Sequence, residues 1–234
     1  MNIVITGASR GIGYELAKYF AAIGNNQIIA ISRNSELLDR LNKECTLIND
    51  KSEVVTISAD LSISASDMKH GISRFCSHID ILVNNAGCLI NKAFADTSEE
   101  EARMAFDTNF FAASFLISHL SGLMGDFQHT HIVNISSMGG YQGSTKYPGL
   151  SYYSASKAAL AVLTECLAGE FSEKNISVNC LALGATQTEM LSEAFPGYKA
   201  PLSASEMAEF IGDFCINGHK YFNGKILPVA LSNP

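Results

Sequence analysis

Tyr153 and Lys157 stand four positions apart in Tyr153-Ser154-Ala155-Ser156-Lys157, within a stretch of helical periodicity, so a phenol and an ammonium project from one face a turn apart. A free tyrosine ionises near ~10 and exchanges protons poorly at neutral pH, whereas an opposite charge a few ångströms away draws it down by ~1–3 units. The pair fits general acid–base chemistry at a substrate oxygen. Tyr152 has Ser156 as its i+4 neighbour, which offers no cation, so the spacing selects Tyr153.

A second group of residues fits an anion. The run Asn2-Ile3-Val4-Ile5 leads into Thr6-Gly7-Ala8-Ser9-Arg10-Gly11-Ile12-Gly13, and a helical pattern follows at Tyr14. Glycines between a strand and a helix permit a tight turn, let the backbone approach a pyrophosphate, and bring helix and strand together, while the helix N-terminus aims its N–H groups at the anion. The spacing G-x-x-x-G-x-G departs from the commoner G-x-G-x-x-G, but the strand before and the helix after are the context such a loop needs. Gly7, Ser9, Arg10, Gly11, Ile12 and Gly13 are therefore candidate dinucleotide contacts. About twenty residues further on, where an NAD site places an acidic residue, the chain has Ser32-Arg33-Asn34. A hydroxyl and a guanidinium suit a 2′-phosphate, and Arg10 adds a second cation, so NADP(H) is expected over NAD(H); the plainer alternative makes both arginines solvated surface charges.

Elements must hold these groups. Apolar runs of four to six residues recur between longer amphipathic stretches, the pattern of strands alternating with helices and hence of a parallel sheet covered on both faces. The spacing predicts strands near 2–6, 27–32, 53–58, 79–83, 130–136, 176–181 and 225–230. Helices are predicted at about 11–24, 34–48, 64–77, 98–125, 150–173 and 203–217, with capping boxes at Ser98/Glu101 and Ser203/Glu206. The fold expected is α/β, a single-domain Rossmann-like doubly wound parallel sheet of about seven strands over residues 1–234. Loops 138–151 and 184–202 leave carboxyl ends of strands, where open α/β sheets bind ligands.

Composition narrows the partners. Of 234 residues, 47% are hydrophobic and 17% charged, a globular balance. Sixteen Lys and Arg against 23 Asp and Glu give −7, with no basic surplus for nucleic acid or an anionic membrane. Apolar runs such as Gln27–Ile31 stop far short of the ~18 residues of a membrane span. With a strand directly after residue 1 and no leader pattern, a cytoplasmic location is expected. Six scattered cysteines read as reduced, mostly buried thiols. His129 and His131 have no companions to complete a metal site and read as surface or turn residues; no metal is expected. Glu99-Glu100-Glu101 reads as a helix start. Phe110, Phe111, Phe115 and Phe127 are expected to pack a core or a subunit interface.

With these residues in view, the chain resembles the short-chain dehydrogenase/reductase family in its classical one-domain form, from Asn2 to about Thr188 and more weakly beyond. Four segments stand in the family's order: the glycine loop 6–13, Asn84-Asn85-Ala86-Gly87, Ile135-Ser136-Ser137, and Tyr153 through Lys157. The resemblance implies that Tyr153 is the general acid/base, and that Lys157 binds the nicotinamide ribose and lowers the Tyr153 pKa. Ser137, with Ser136 as the alternative, would hydrogen-bond the substrate oxygen, and Asn109 would hold a relay water. Asp60 and Leu61 would contact the adenine, and Asn85, Ala86 and Gly87 the adenine ribose, unless Asn84 and Asn85 chiefly satisfy buried backbone. Gly184, Thr186 and Thr188 fall where the family meets the carboxamide, with Leu183 in place of its usual proline. The implied activity is NADPH-dependent reduction of a carbonyl, a ketone or a 3-oxoacyl compound, to an alcohol. The alternative is a nucleotide-binding regulatory protein with little turnover. A homodimer or homotetramer is implied. Three departures stand out: an insertion at 144–149, a short segment after Thr188 suggesting an open lid, and no paired glycines after the last strand.

Overall fold

The computed structural model describes residues 1–231; the single-domain expectation also covers 232–234, which lie outside the described residues. The chain runs β1 (Asn2–Thr6), α1 (Gly11–Ile23), β2 (Gln27–Ser32), α2 (Ser35–Ile48), β3 (Glu53–Ser58), α3 (Leu61–Ser64), α4 (Met68–Ser73) and β4 (Ile81–Asn84). It continues through α5 (Glu99–Phe106), a π-helical turn (Asp107–Phe111), α6 (Ala112–Leu120), β5 (Thr130–Ser137), α7 (Ser151–Glu170) and β6 (Ile176–Leu183). It closes with β7 (Thr186–Gln187), α8 (Glu189–Ala194), β8 (Leu202–Ser203), α9 (Ala204–Asn217) and β9 (Ile226–Val229).

Among the described residues, seven strands form one parallel sheet in the order β3-β2-β1-β4-β5-β6-β9, with β7 and β8 paired separately. The inner strands are apolar throughout because both faces are covered: Ile3, Val4, Ile5 and Ile28 to Ile31 are fully buried. One face packs against Leu16 and Phe20 of α1, Leu38 and Leu41 of α2, and Met207 and Ile211 of α9. The other packs against Met68 and Ile72 of α4, Leu116 and Leu120 of α6, and Phe171 just after α7. Strand order reverses at β1, with β2 and β3 on one side and β4 onward on the other, which opens a crevice beyond the carboxyl ends of β1 and β4.

Both predicted capping boxes form: Ser98 and Ser203 cap the amides of Glu101 and Glu206, whose carboxylates bind back to the cap amides. Other expectations are corrected. The helix expected at 64–77 is shorter: a 3₁₀ turn at Ala65–Asp67 leads into α4, which ends at Ser73, while Asp60 and Ser64 cap and close the preceding α3 through local hydrogen bonds. The helix expected at 98–125 is cut by the π-turn. Segment 184–202 is not an open loop but holds α8, capped by Thr188. Of the two places expected for the phenylalanines, core or subunit interface, Phe111, Phe115 and Phe127 are not in the core but exposed. His131 is buried, not at the surface: it is flanked by the Cys215 carbonyl and Asn179, and burial lowers its pKa to about 4.

Candidate active site

The glycine turn is built by interlocking β1 with the turn after β4. Thr6 Oγ1 accepts hydrogen bonds from the amides of Asn85 and Ala86, both at 3.0 Å, and Asn85 Nδ2 donates to the Thr6 carbonyl at 3.0 Å. Gly7 and Gly11 have φ of +67° and +57°, the left-handed region. A Cβ at Gly13 would lie 2.5 Å from the Gly7 carbonyl oxygen, so that glycine lets α1 pack onto the turn. Among the described residues, α1 receives no side-chain cap from Arg10, and its first residues, Gly11 and Ile12, line the crevice. Uncapped N–H groups at such an end suit an anion.

At the tip of β2, Ser32 Oγ donates to Ser9 Oγ at 2.7 Å, tying the strand to the glycine turn. The Arg33 side chain is 74% exposed, 3.9 Å from Asp60, and Asn34 caps α2 by accepting from the Leu37 amide at 2.9 Å. Arg10 reaches across the mouth to Glu193 of α8 at 2.6 Å. The Asp60 carboxyl, bonded by Ser62 and facing Arg33, is held below the usual carboxylate range.

β5 delivers two serines. Ser136 Oγ donates to the Lys157 carbonyl at 2.8 Å, whereas Ser137 Oγ accepts from the Gly139 amide at 3.1 Å and lies beside Tyr153. The 138–140 turn hugs α7, since a Cβ at Gly140 would lie 2.7 Å from the Ala158 nitrogen. Lys157 is 4% exposed; its Nζ donates to the Ile135 carbonyl at 2.8 Å, and burial brings its pKa down to about 8. Tyr153 departs from the expected direction: burial raises its pKa, and the group drawing it down is the Ser137 hydroxyl. The reason is geometric, because the Lys157 ammonium is aimed at β5. Tyr152 stacks on Phe94, ring centroids 5.5 Å apart.

Asn109 sits in the π-turn. Its Nδ2 donates to Ser156 Oγ at 2.9 Å and to the Cys88 carbonyl at 3.0 Å, and its Oδ1 accepts from the Cys88 amide at 2.8 Å. A Cβ at Gly87 would lie 3.1 Å from that Oδ1 and 3.3 Å from Lys157 Nζ, so this glycine keeps Asn109 and the ammonium close to the crevice floor.

A cavity of about 560 Å³ joins these parts. Gly7, Ser9, Arg10, Gly11, Ile12, Ser32, Arg33, Asp60, Leu61, Asn85, Ala86, Gly87, Ser136, Ser137, Tyr153, Lys157, Gly184, Thr186 and Thr188 line it, while Gly13, Asn34 and Asn109 do not, Gly13 and Asn109 being buried and Asn34 exposed at the start of α2. The Thr188 hydroxyl is engaged as the cap of α8, accepting from the Leu191 amide at 3.2 Å. Sequence reasoning missed the apolar half of the lining: Leu89, Met138, Tyr147, Leu150, Met190, Leu191, Phe195 and Tyr198. No motif carries them; the position of the two loops was the one available signal. Among the described residues, no group of three or more His, Cys, Asp or Glu is placed to hold a metal ion, and no helix is long and apolar enough to cross a membrane.

The sheet order, the glycine turn and the Tyr–Lys helix together define an α/β oxidoreductase of the nicotinamide-dependent class. The family profile described as short chain dehydrogenase matches residues 1–199, and the chain belongs to that family. It is 34% identical over 192 residues to a 3-oxoacyl-[acyl-carrier-protein] reductase FabG of Chlamydia muridarum, a match covering 80% of this chain and 74% of the relative. It is 31% identical over 202 residues to dehydrogenase/reductase SDR family member 7B of Bos taurus, covering 80% of this chain but only 58% of that longer relative. A crystal structure from Beutenbergia cavernae, described as a candidate NAD(P)-dependent gluconate 5-dehydrogenase with NADP bound at low occupancy, superposes with a TM-score of 0.87 at 25% identity, covering 98% of this chain and 94% of that one.

Proposed function

We propose that this chain is an NADPH-linked reductase that converts a carbonyl compound of the ketone or 3-oxoacyl class to the alcohol. The observation that carries the reading is the meeting, in one cavity, of the Tyr153 phenol, the Ser137 hydroxyl and the Lys157 ammonium with the uncapped end of α1. The cradle fits a dinucleotide because Gly7 and Gly13 let the turns after β1 and β4 and the start of α1 close up tightly, leaving the uncapped end of α1 facing the crevice. The glycine turn would hold the pyrophosphate, Asp60 and Leu61 the adenine end, Lys157 the ribose by the nicotinamide, and the 184–188 segment the carboxamide. When bound, the nicotinamide supplies hydride to the carbonyl carbon.

The chain's own groups handle the oxygen. Burial keeps Tyr153 protonated at neutral pH, the form that donates a proton in the reducing direction. Ser137, oriented by the Gly139 amide, can donate to the same oxygen as charge builds there. Lys157 supplies a cation to whatever phenolate forms, and Asn109 braces the backbone at Cys88 against α7. Arg33 at the β2 tip supports NADPH over NADH, and Arg10 joins it by exchanging Glu193 for the 2′-phosphate. The Chlamydia muridarum relative's 3-oxoacyl reductase activity and the Beutenbergia cavernae neighbour's NADP support substrate class and cofactor. Buried free thiols fit a reducing, cytoplasmic setting. A homo-oligomer is part of the proposal, built on the exposed Phe111 and Phe115.

The test is consumption of NADPH and of NADH across a panel of ketones and 3-oxoacyl thioesters. Tyr153→Phe is expected to lower kcat by about 10²–10⁴ with nucleotide affinity retained. Arg33→Ala is expected to weaken NADPH selectively over NADH. Equal loss for both nucleotides overturns the cofactor preference, and no turnover on any carbonyl overturns the reductase in favour of a binding role.

A further inference from the structure

We propose that Asn91 is a positioning residue that clasps α8 to the 144–149 segment and so fixes the spacing of the two walls of the carbonyl pocket. Asn91 Nδ2 donates to the carbonyl of Ala194, the last residue of α8, at 2.9 Å. Its Oδ1 rests against Gly149, where φ is +86° and a Cβ would collide with that oxygen. The neighbouring Lys92 amide donates to the Gly149 carbonyl at 3.0 Å. One side chain thus touches both segments that the family resemblance leaves without a role, and each supplies pocket wall: Thr145 and Tyr147 from one, Met190 and Leu191 from the other.

Asn91 does not itself line the cavity, so it acts through what it holds. α8 is also held by Arg10 through Glu193 at the cofactor end, at 2.6 Å, and by Gln187 Nε2, which donates to Ser192 Oγ at 3.0 Å; all three ties, that of Asn91 included, lie at the surface. Beyond α8, the chain turns at Gly197, where φ is +85° and the Tyr198 amide donates to the Phe195 carbonyl at 3.1 Å. Asn91 is the tie that joins α8 to the 144–149 segment. The amide chemistry is specific on one side: Nδ2 must donate toward Ala194, while Oδ1 packs against the bare Cα of Gly149. Aspartate has the same shape but would set a carboxylate oxygen against a carbonyl oxygen, breaking one contact and leaving the other.

The kinetic consequence rests on the reductase reading; the structural one does not. In the nucleotide-free protein, hydrogen–deuterium exchange of the amides of 189–196 is expected to quicken about five- to tenfold in both Asn91→Asp and Asn91→Ala, the loss of about one hydrogen bond, with exchange in β1, β4 and β5 unchanged. With NADPH and a carbonyl substrate found in the panel, KM for that substrate should rise by a similar factor, with kcat and the NADPH Kd within about twofold of wild type. Unchanged exchange in both variants overturns the clasp whether or not the protein turns over. Faster exchange with an unchanged KM overturns its role in the pocket. A fall in kcat that tracks global loss of protection would make Asn91 merely structural and also overturns the proposal.

Discussion

Burial pushes Tyr153 and Lys157 in the same chemical direction, each toward its neutral form, and the lysine's side of this can be read as stability. Its ammonium ionises near 10.5 in an unfolded chain and near about 8 in the fold, so between those values the unfolded state binds more protons and stability gains with rising pH. Below about pH 8 the full cost of burying the charge is present, on the order of 3 kcal/mol. Lys157→Met is accordingly expected to be more stable than wild type at pH 7, by up to about 3 kcal/mol, with the gap closing toward pH 10.5. Urea unfolding of both proteins at several pH values measures this, and a gap that does not change with pH refutes it. Taking the difference matters, because burial raises Cys45 and Cys180 to about 11 and so lowers stability over part of the same range. Spacing made the identity of Tyr153 and Lys157 legible. Their protonation was not legible, because it depends on Ile135, Ser137 and the thiols of Cys88 and Cys180, which only the fold brings near.

At the level of elements, β1, β2 and β3 match their sequence boundaries to the residue: β1 and β2 carry unbroken apolar runs bounded by polar residues, and β3 is a β-branched run, its apolar character broken only by Thr56, between Glu53 and Ser58. The interruption of the long helix at Asn109 has no such mark. Local periodicity there is helical, and within the π-turn the Asn109 amide is hydrogen-bonded to the Cys88 backbone, some twenty residues earlier, a contact that no local pattern shows. α8 escaped notice for another reason: six residues are too few to show a period, and its start depends on the Thr188 cap. The α1 end of the site yields a prediction in which two effects oppose each other. Alanine for Gly13 improves helix propensity by about 1 kcal/mol, yet its methyl would meet the Gly7 carbonyl oxygen and Asn85 Nδ2 at 2.5 Å, neither free to retreat. Overpacking should win, so Gly13→Ala is expected to lose about 1–3 kcal/mol in chemical denaturation and to bind NADPH more weakly. A stabilised variant would show that α1 can slide off the turn.

Across the whole molecule, Phe111 and Phe115 stack with centroids 5.6 Å apart on the outer side of the α6 region, 40% and 50% exposed, with Met104 nearby in sequence at 53%. Adjacent exposed rings of this kind are where the proposed subunit contact would form. Light scattering at micromolar concentration should give a multiple of the chain mass, and Phe115→Glu should lower it; a monomeric wild type removes the subunit proposal. The sequence reading offered core or interface for these rings, and only coordinates decide between them, since helical spacing is the same for both. Strand order was legible in class but not in detail. One detail bears on synthesis. β9 pairs with β6, Val229 accepts from the Gly184 amide at 2.8 Å, and Ala230 packs against Gly184 on the crevice wall. A ribosome paused before Lys225 would present every proposed reacting side chain on a nascent polypeptide still missing one rail of its scaffold, so competence should arrive late, only after this edge has emerged and docked.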